Sequence, residues 1–201
     1  MISMKREKGF TLVELLVSIL LTSIIMGAIY SVYRVQTHSA KVQESRLEAQ
    51  EYARSALDMM VREVRNAGYA PTGAACAVVT ADVQTLRFNY DANANGVCTD
   101  ADEDITYTYD PAGCAAGFGD VTRNGAANPL TNCNVTSFDL RYFRQDGTEL
   151  SRPVIAADLP NIQRAQITLT VQSLKADTEF GGQLNATMTS NADLRNRGLP
   201  S

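Results

Sequence analysis

The sequence predicts an α+β protein, a long N-terminal helix packed on an antiparallel β-sheet head. Three observations predict it. A nearly charge-free apolar stretch runs from Phe10 to Tyr33. A helical pattern without Pro or Gly continues it from Arg34 to Asn66. After Pro71 the apolar residues change from helical spacing to alternation, and Gly, Asn, Asp and Thr become frequent. The 201 residues suit one modest domain with an appendage. Hydrophobic residues make up 45% and charged residues 20%, which excludes a disordered, collagen-like or polytopic membrane chain. The net charge of −4 gives no basic footprint for nucleic acid.

Residues 1–9, MISMKREKG, form a basic leader, with Lys5, Arg6 and Lys8 opposed only by Glu7. Residues 10–33 follow as an apolar helix. Its uncharged run from Leu15 to Tyr33 would extend roughly 28 Å at about 1.5 Å per residue, close to a hydrocarbon core of about 30 Å. A secretory signal peptide would have a shorter apolar region closed by a small-residue cleavage site, and no Ala-x-Ala closes this one. The positive-inside rule keeps the leader in the cytoplasm and places the rest of the chain beyond the inner membrane. Ser18, Thr22, Ser23 and Gly27 suit close helix packing.

Glu14 is the one formal charge in the apolar stretch. Such a carboxylate either snorkels to the headgroups or needs a partner. Cleavage after Gly9 would supply one, the free amine of Phe10, from the same chain or from a neighbouring subunit.

Residues 34–68 form the amphipathic half of the helix. Ala53, Leu57, Met60, Val61 and Val64 recur at spacings of three and four and share one face. Asn66-Ala67-Gly68 followed by Pro71 is a stop signal, with Arg62 and Arg65 placed to complement the macrodipole. His38, the one histidine, reads as a solvated residue on the polar stretch.

Residues 71–190 form the β-rich head. Strands are expected around Leu86–Tyr90, Ile105–Tyr109, Phe138–Tyr142 and Ile167–Val171, with a weaker one at Leu184–Met188. Residues 191–201 read as a frayed tail. Between the first two strands Asp91-Ala-Asn93-Ala-Asn95-Gly96 fits the calcium-loop pattern D-x-[DN]-x-[DN]-G. Asp91, Asn93 and Asn95 would give side-chain oxygens, Val97 a carbonyl, Thr99 a water-mediated contact and Asp102 the closing carboxylate. Glu103 falls one residue late for that last place. The expectation is a structural Ca2+ in a hairpin loop, against a plain polar turn at Asn95-Gly96.

Cys76, Cys98, Cys114 and Cys133 all lie in the head. An even count in an oxidising compartment suggests two disulfides, and three connectivities are open. Sequential pairing, Cys76 with Cys98 and Cys114 with Cys133, is preferred because it staples adjacent loops. The spacing matches no zinc motif. No nucleophile–base pair appears, so an enzyme is not expected.

The segment Gly9-Phe10-Thr11-Leu12-Val13-Glu14, after a short basic leader and before an unbroken apolar helix, resembles the processing site of type IV pilins and type II secretion pseudopilins. The resemblance implies the type IV pilin fold, cleavage by prepilin peptidase between Gly9 and Phe10, N-methylation of Phe10, and a role for Glu14 in docking the subunit into a filament. The stretch MVREVRNAGYAPTG, Met60–Gly73, is similar to the PilW-like branch of minor pilins. That similarity implies a structural subunit acting in initiation or at the tip of a type IV pilus. Its implied partners are other minor pilins, the major pilin and the inner-membrane assembly platform, with no nucleic acid. The implied location is the bacterial inner membrane, with a periplasmic head, and then the cell surface. A J-like pseudopilin of type II secretion shares the scaffold. A membrane-anchored periplasmic calcium-binding or adhesive module that never polymerises is the reading from another class.

Overall fold

The computed structural model describes residues 9–173 and 184–194. Among these residues are one α-helix, α1 (Leu12–Val64), a short 3-10 turn (Leu159–Asn161) and seven strands: β1 (Val78–Ala81), β2 (Thr85–Asn89), β3 (Asp104–Asp110), β4 (Asp120–Arg123), β5 (Val135–Phe143), β6 (Arg164–Gln172) and β7 (Asn185–Asp193). The predicted leader, apart from Gly9, lies outside the described residues. The chain divides into two compact units, one ending at Glu44 and one beginning at Ser45.

In the first unit α1 begins at Leu12 and leaves its large apolar side chains exposed, Leu12, Leu16, Leu20, Ile24 and Val32 among them. The sequence explains both facts. Leu, Ile, Met and Ala sustain the helix, and the apolar residues run around its whole circumference, so no single face collects them. Ser18, Thr22 and Ser23 return their hydroxyls to the carbonyls of Glu14, Ser18 and Ile19, at 2.7, 2.7 and 2.8 Å. Their polar groups are thereby satisfied within the helix itself. His38 is half-buried, a correction to the solvated position expected for it.

In the second unit the remainder of α1 buries one stripe: Ala49, Ala53, Ala56, Leu57, Met60, Val61 and Val64. All five residues named from the spacing are in it. Ala49, Ala53 and Ala56 are small, and they share one buried cluster with the sheets' inward aromatic residues. The helix stops at Val64, a few residues before the stop signal. Beyond it the turns tighten, with Asn66 and Ala67 donating to the carbonyls of Glu63 and Val64 at 2.9 and 3.0 Å. Gly68 then takes a positive φ of 78° and donates to the Asn89 carbonyl, which turns the chain into the head.

The strands form two antiparallel sheets, where one was expected: β1-β2-β3-β4 and β5-β6-β7. A bridge between Gly119 and Val135 connects the β4 edge region to β5. Strands β2, β3, β5 and β6 alternate as their sequences require. Leu86 and Phe88, Ile105 and Tyr107, and Ile167, Leu169 and Val171 face inward. In β5 the parity changes between Val135 and Phe138 because the register slips there, and both residues can then point into the core. The opposite side of β6 and β7 is a polar ladder. Thr168 pairs with Thr189 and Thr170 with Thr187 through their hydroxyls, and Gln166 donates to Asn191. The helix stripe and the inward residues of both sheets make one buried cluster.

The weak strand expected at Leu184–Met188 is the nine-residue β7. It runs through Asn191, Ala192 and Asp193, which corrects the assignment of a frayed tail from 191. Ala192 and Leu194 are buried, and the apolar cluster therefore fastens this edge. Residues 195–201 lie outside the described residues.

Candidate functional site

Thr11 and Glu14 form the start of α1. The Glu14 carboxylate accepts from the Thr11 amide at 3.0 Å and from the Thr11 hydroxyl at 2.9 Å, and the hydroxyl accepts from the Glu14 amide at 3.3 Å. This is a reciprocal capping box, in which a Thr and a Glu three residues on satisfy each other's backbone donors. Gly9 and Phe10 lie immediately before it, outside the helix and exposed. An exposed, unstructured dipeptide directly before a capped helix is an accessible bond for a peptidase. The cap escaped the sequence reading although its signature, Thr-x-x-Glu before an apolar run, stands in the chain.

Glu14 therefore has two aspects. It is the one charged residue between Phe10 and Tyr33, a stretch whose large apolar side chains are exposed. It is also an integral part of the helix start. The helix is long and apolar enough to cross a membrane.

The head carries the other sequence-predicted residues. Its disulfides join Cys76 to Cys98 and Cys114 to Cys133, with Cα separations of 5.6 and 5.3 Å. The second closes a turn that Asp120 organises. The Asp120 carboxylate accepts from the Cys133 amide at 2.5 Å and from the Thr131 hydroxyl at 3.0 Å. Cys114, Asp120 and Cys133 are close enough to suggest a metal trio. Both sulfurs are bonded to each other, however, and have no thiolate to offer.

The loop between β2 and β3 is built around Asp91, which is buried. Its carboxylate accepts from the Thr72 hydroxyl at 2.5 Å, from the Asn95 amide at 3.1 Å and from the Gly96 amide at 3.0 Å. The Thr72 hydroxyl first, and then the two amides, hold this carboxyl below the usual range against the opposing effect of burial. Asn93 and Asn95 accept with their side-chain oxygens from the amides of Asn95 and Val97, at 2.9 and 2.8 Å. Gly96 has a φ of 82°, which a side chain would resist. Thr99 and Asp102 are exposed, whereas Glu103 is buried. The Glu103 carboxylate accepts from the amides of Ala92 and Asn93 at 2.8 and 3.0 Å. The structure thus brings Asp91, Asn93, Asn95 and Glu103 into one hydrogen-bonded loop and leaves the Asp102 side chain outside it.

A third cluster had no signal in the sequence. Glu63 at the end of α1 accepts from the Tyr107 hydroxyl of β3 at 2.5 Å and from Arg123 Nε of β4 at 3.0 Å. Burial, followed by the Glu63 carboxylate, drives the Tyr107 phenol far above its ordinary range. The buried Tyr107 and the half-buried Glu63 and Arg123 thus tie the last turn of the helix to the sheet.

Comparison with known families gives two matches on different parts of the chain. Residues 4–30 match the prokaryotic N-terminal methylation motif. Residues 41–190 match prepilin peptidase-dependent protein B. No curated protein and no solved structure matches significantly. The first match covers Gly9, Phe10, the capped helix start and Glu14. The second covers the buried helix stripe and the strands from β1 into β7. The chain is therefore a type IV pilin-like protein and belongs to the prepilin peptidase-dependent protein B family.

Proposed function

We propose that this pilin-like subunit is a minor pilin of type IV pilus assembly, acting in initiation or at the tip. The observation that carries the reading is the placement of Gly9 and Phe10, exposed, directly before a capped helix whose apolar first half is exposed. In this reading the basic leader holds the precursor's start in the cytoplasm while the helix crosses the inner membrane. Prepilin peptidase cuts between Gly9 and Phe10, and Phe10 is N-methylated. The subunit then leaves the bilayer for a bundle of like helices formed with other minor pilins and the major pilin at the assembly platform. The similarity of Met60–Gly73 to PilW-like minor pilins supports this branch. The subunit is structural rather than enzymatic, in keeping with its family.

Mass spectrometry of sheared filaments tests it. The expected N-terminal peptide begins at methylated Phe10, in amounts far below the major pilin. Glu14→Ala should reduce incorporation at least tenfold, and Glu14→Gln should do so while keeping the helix cap. An uncleaved N-terminus, or incorporation unaffected by Glu14→Ala, would overturn the reading in favour of an anchored periplasmic module. Recovery with secretion pseudopilins instead of pili would assign the chain to type II secretion.

A further inference from the structure

The Cys114–Cys133 disulfide has a carboxylate against it. Asp120 Oδ2 lies 3.7 Å from Cys114 Sγ and 3.5 Å from Cys133 Sγ. The sulfurs are bonded to each other and carry no proton, so these are contacts of an acid oxygen with the bond, not hydrogen bonds. The other oxygen, Oδ1, holds the carboxylate in place by accepting from the Cys133 amide at 2.5 Å and the Thr131 hydroxyl at 3.0 Å. Asp120 also stands opposite Asp110 in the β3–β4 register. Among the described residues, no ion pair with Lys or Arg involves either acid. The turn's two hydrogen bonds use Oδ1 alone, and the amide oxygen of an Asn could accept both. What the second oxygen adds is negative charge at the disulfide.

That charge bears on how the bond can be opened. Cys114, Asp120 and Cys133 are half-buried, within reach of small thiols. A thiolate attacks one sulfur, the S–S bond breaks, and its electron pair leaves on the other sulfur, which takes a proton from water. A second thiolate then attacks the mixed disulfide and frees the remaining cysteine. In total two thiols are oxidised to their own disulfide, and Cys114 and Cys133 are reduced by two electrons and two protons. During the first attack one negative charge is spread over three sulfurs, and two of them touch Asp120. Like charges at such separations repel, most of all where the site is partly shielded from water.

From this we infer that Asp120 is an electrostatic guard of the Cys114–Cys133 disulfide, slowing its reduction by thiolates. The guard acts on the charge of the attacker and leaves the way to the sulfurs open. The repulsion is worth on the order of tenfold in the rate of attack. The guarded bond closes the segment that contains β4 and the Gly119 end of the bridge to Val135. Opening it would free the connection between the two sheets, so the guard keeps that connection closed in the presence of thiols.

The test uses the full chain in detergent and follows each disulfide separately, by alkylating freed thiols and mapping the labelled peptides. Two reductants are compared: mercaptoethanesulfonate, which attacks as an anion, and tris(hydroxypropyl)phosphine, which attacks as a neutral molecule. Asp120→Asn should speed thiolate reduction of Cys114–Cys133 by about tenfold. The same variant should leave the phosphine rate within about twofold, because no charged attacker is then repelled. Reduction of Cys76–Cys98 in the same sample should not change. Thr131→Val loosens the hold on Oδ1 but keeps the charge, and should not reproduce the thiolate-selective gain. The inference is overturned if Asp120→Asn leaves the thiolate rate unchanged. It is equally overturned if that variant speeds thiolate and phosphine alike, as a merely loosened turn would, or if Thr131→Val gives the same selective gain.

Discussion

The two halves of α1 share one backbone conformation and have opposite surfaces. Up to Glu44 the helix keeps Leu, Ile and Val exposed around its circumference. From Ser45 onward it buries Ala, Leu, Met and Val on one stripe and shows charge elsewhere. The difference lies in where each half finds its apolar partner. The second half finds it in its own chain, in strands whose inward residues close a core. The first half must find it outside, in lipid or in other helices. Burial of about 25 cal/mol per Å2 of apolar surface drives both, so the same physics yields a folded head in one case and an associating segment in the other. The boundary is therefore one of periodicity: apolar all round before it, apolar at threes and fours after it.

The largest expected effect separates the halves directly. Phe88 is fully buried in the head, and Phe88→Ala should cost about 3–5 kcal/mol of head stability in a denaturant melt. Ile24→Ala should leave that melt within about 0.5 kcal/mol, because Ile24 is 63% exposed. Comparable losses from both substitutions would erase the distinction. The second disulfide gives the next effect. Replacing Cys114 and Cys133 together by Ser opens a loop of sequence separation 19. The head should lose about 3 kcal/mol as the unfolded chain regains freedom, and an unchanged melt would show that the apolar cluster alone holds this region.

The smallest effect concerns acid. Asp104 is held below the usual carboxylate range, chiefly by its hydrogen bonds from Arg87 at 2.6 and 3.0 Å. Asp91 is lowered chiefly by the Thr72 hydroxyl. In each case the folded pKa lies below the unfolded one. The stabilisation is then complete above about pH 4 and is lost as pH falls through the folded values. The Tm of the head should be flat from neutrality to about pH 5 and decline below about pH 4. Asp104→Asn should blunt the decline. A Tm that rose on acidification would contradict the sign.

Much of this was legible in the sequence because it is local. The charge-free run, the stripe Ala53–Val64 and the alternation in β2, β3, β5 and β6 each follow from neighbours a few residues apart. The division of the strands into two sheets did not follow, because alternation sets which face is buried and not which strand lies beside it. The short β4, Asp-Val-Thr-Arg, offers too few apolar positions to alternate and is specified instead by its pairing with β3. Gly119 shows the same limit. A Cβ there would come within 2.6 Å of the Tyr109 ring, a requirement that no reading of its neighbours could reveal. At the loop, the spacing located Asp91, Asn93 and Asn95 and favoured Asp102. Only the fold shows that Glu103 is the acid beneath the loop.

The capping box at Thr11 and Glu14 has a consequence for how a subunit commits to its neighbours. A carboxylate already holding two hydrogen bonds within its own chain does not wait in hydrocarbon as a bare anion. Any outside cation that engages it exchanges one set of bonds for another, and the net gain per encounter is smaller than pairing a naked charge would give. In the assembly proposed above, attachment through Glu14 would be reversible at first and would become permanent only as contacts accumulate along the helix. A subunit seated out of register could then let go, and the cap would act as a form of proofreading.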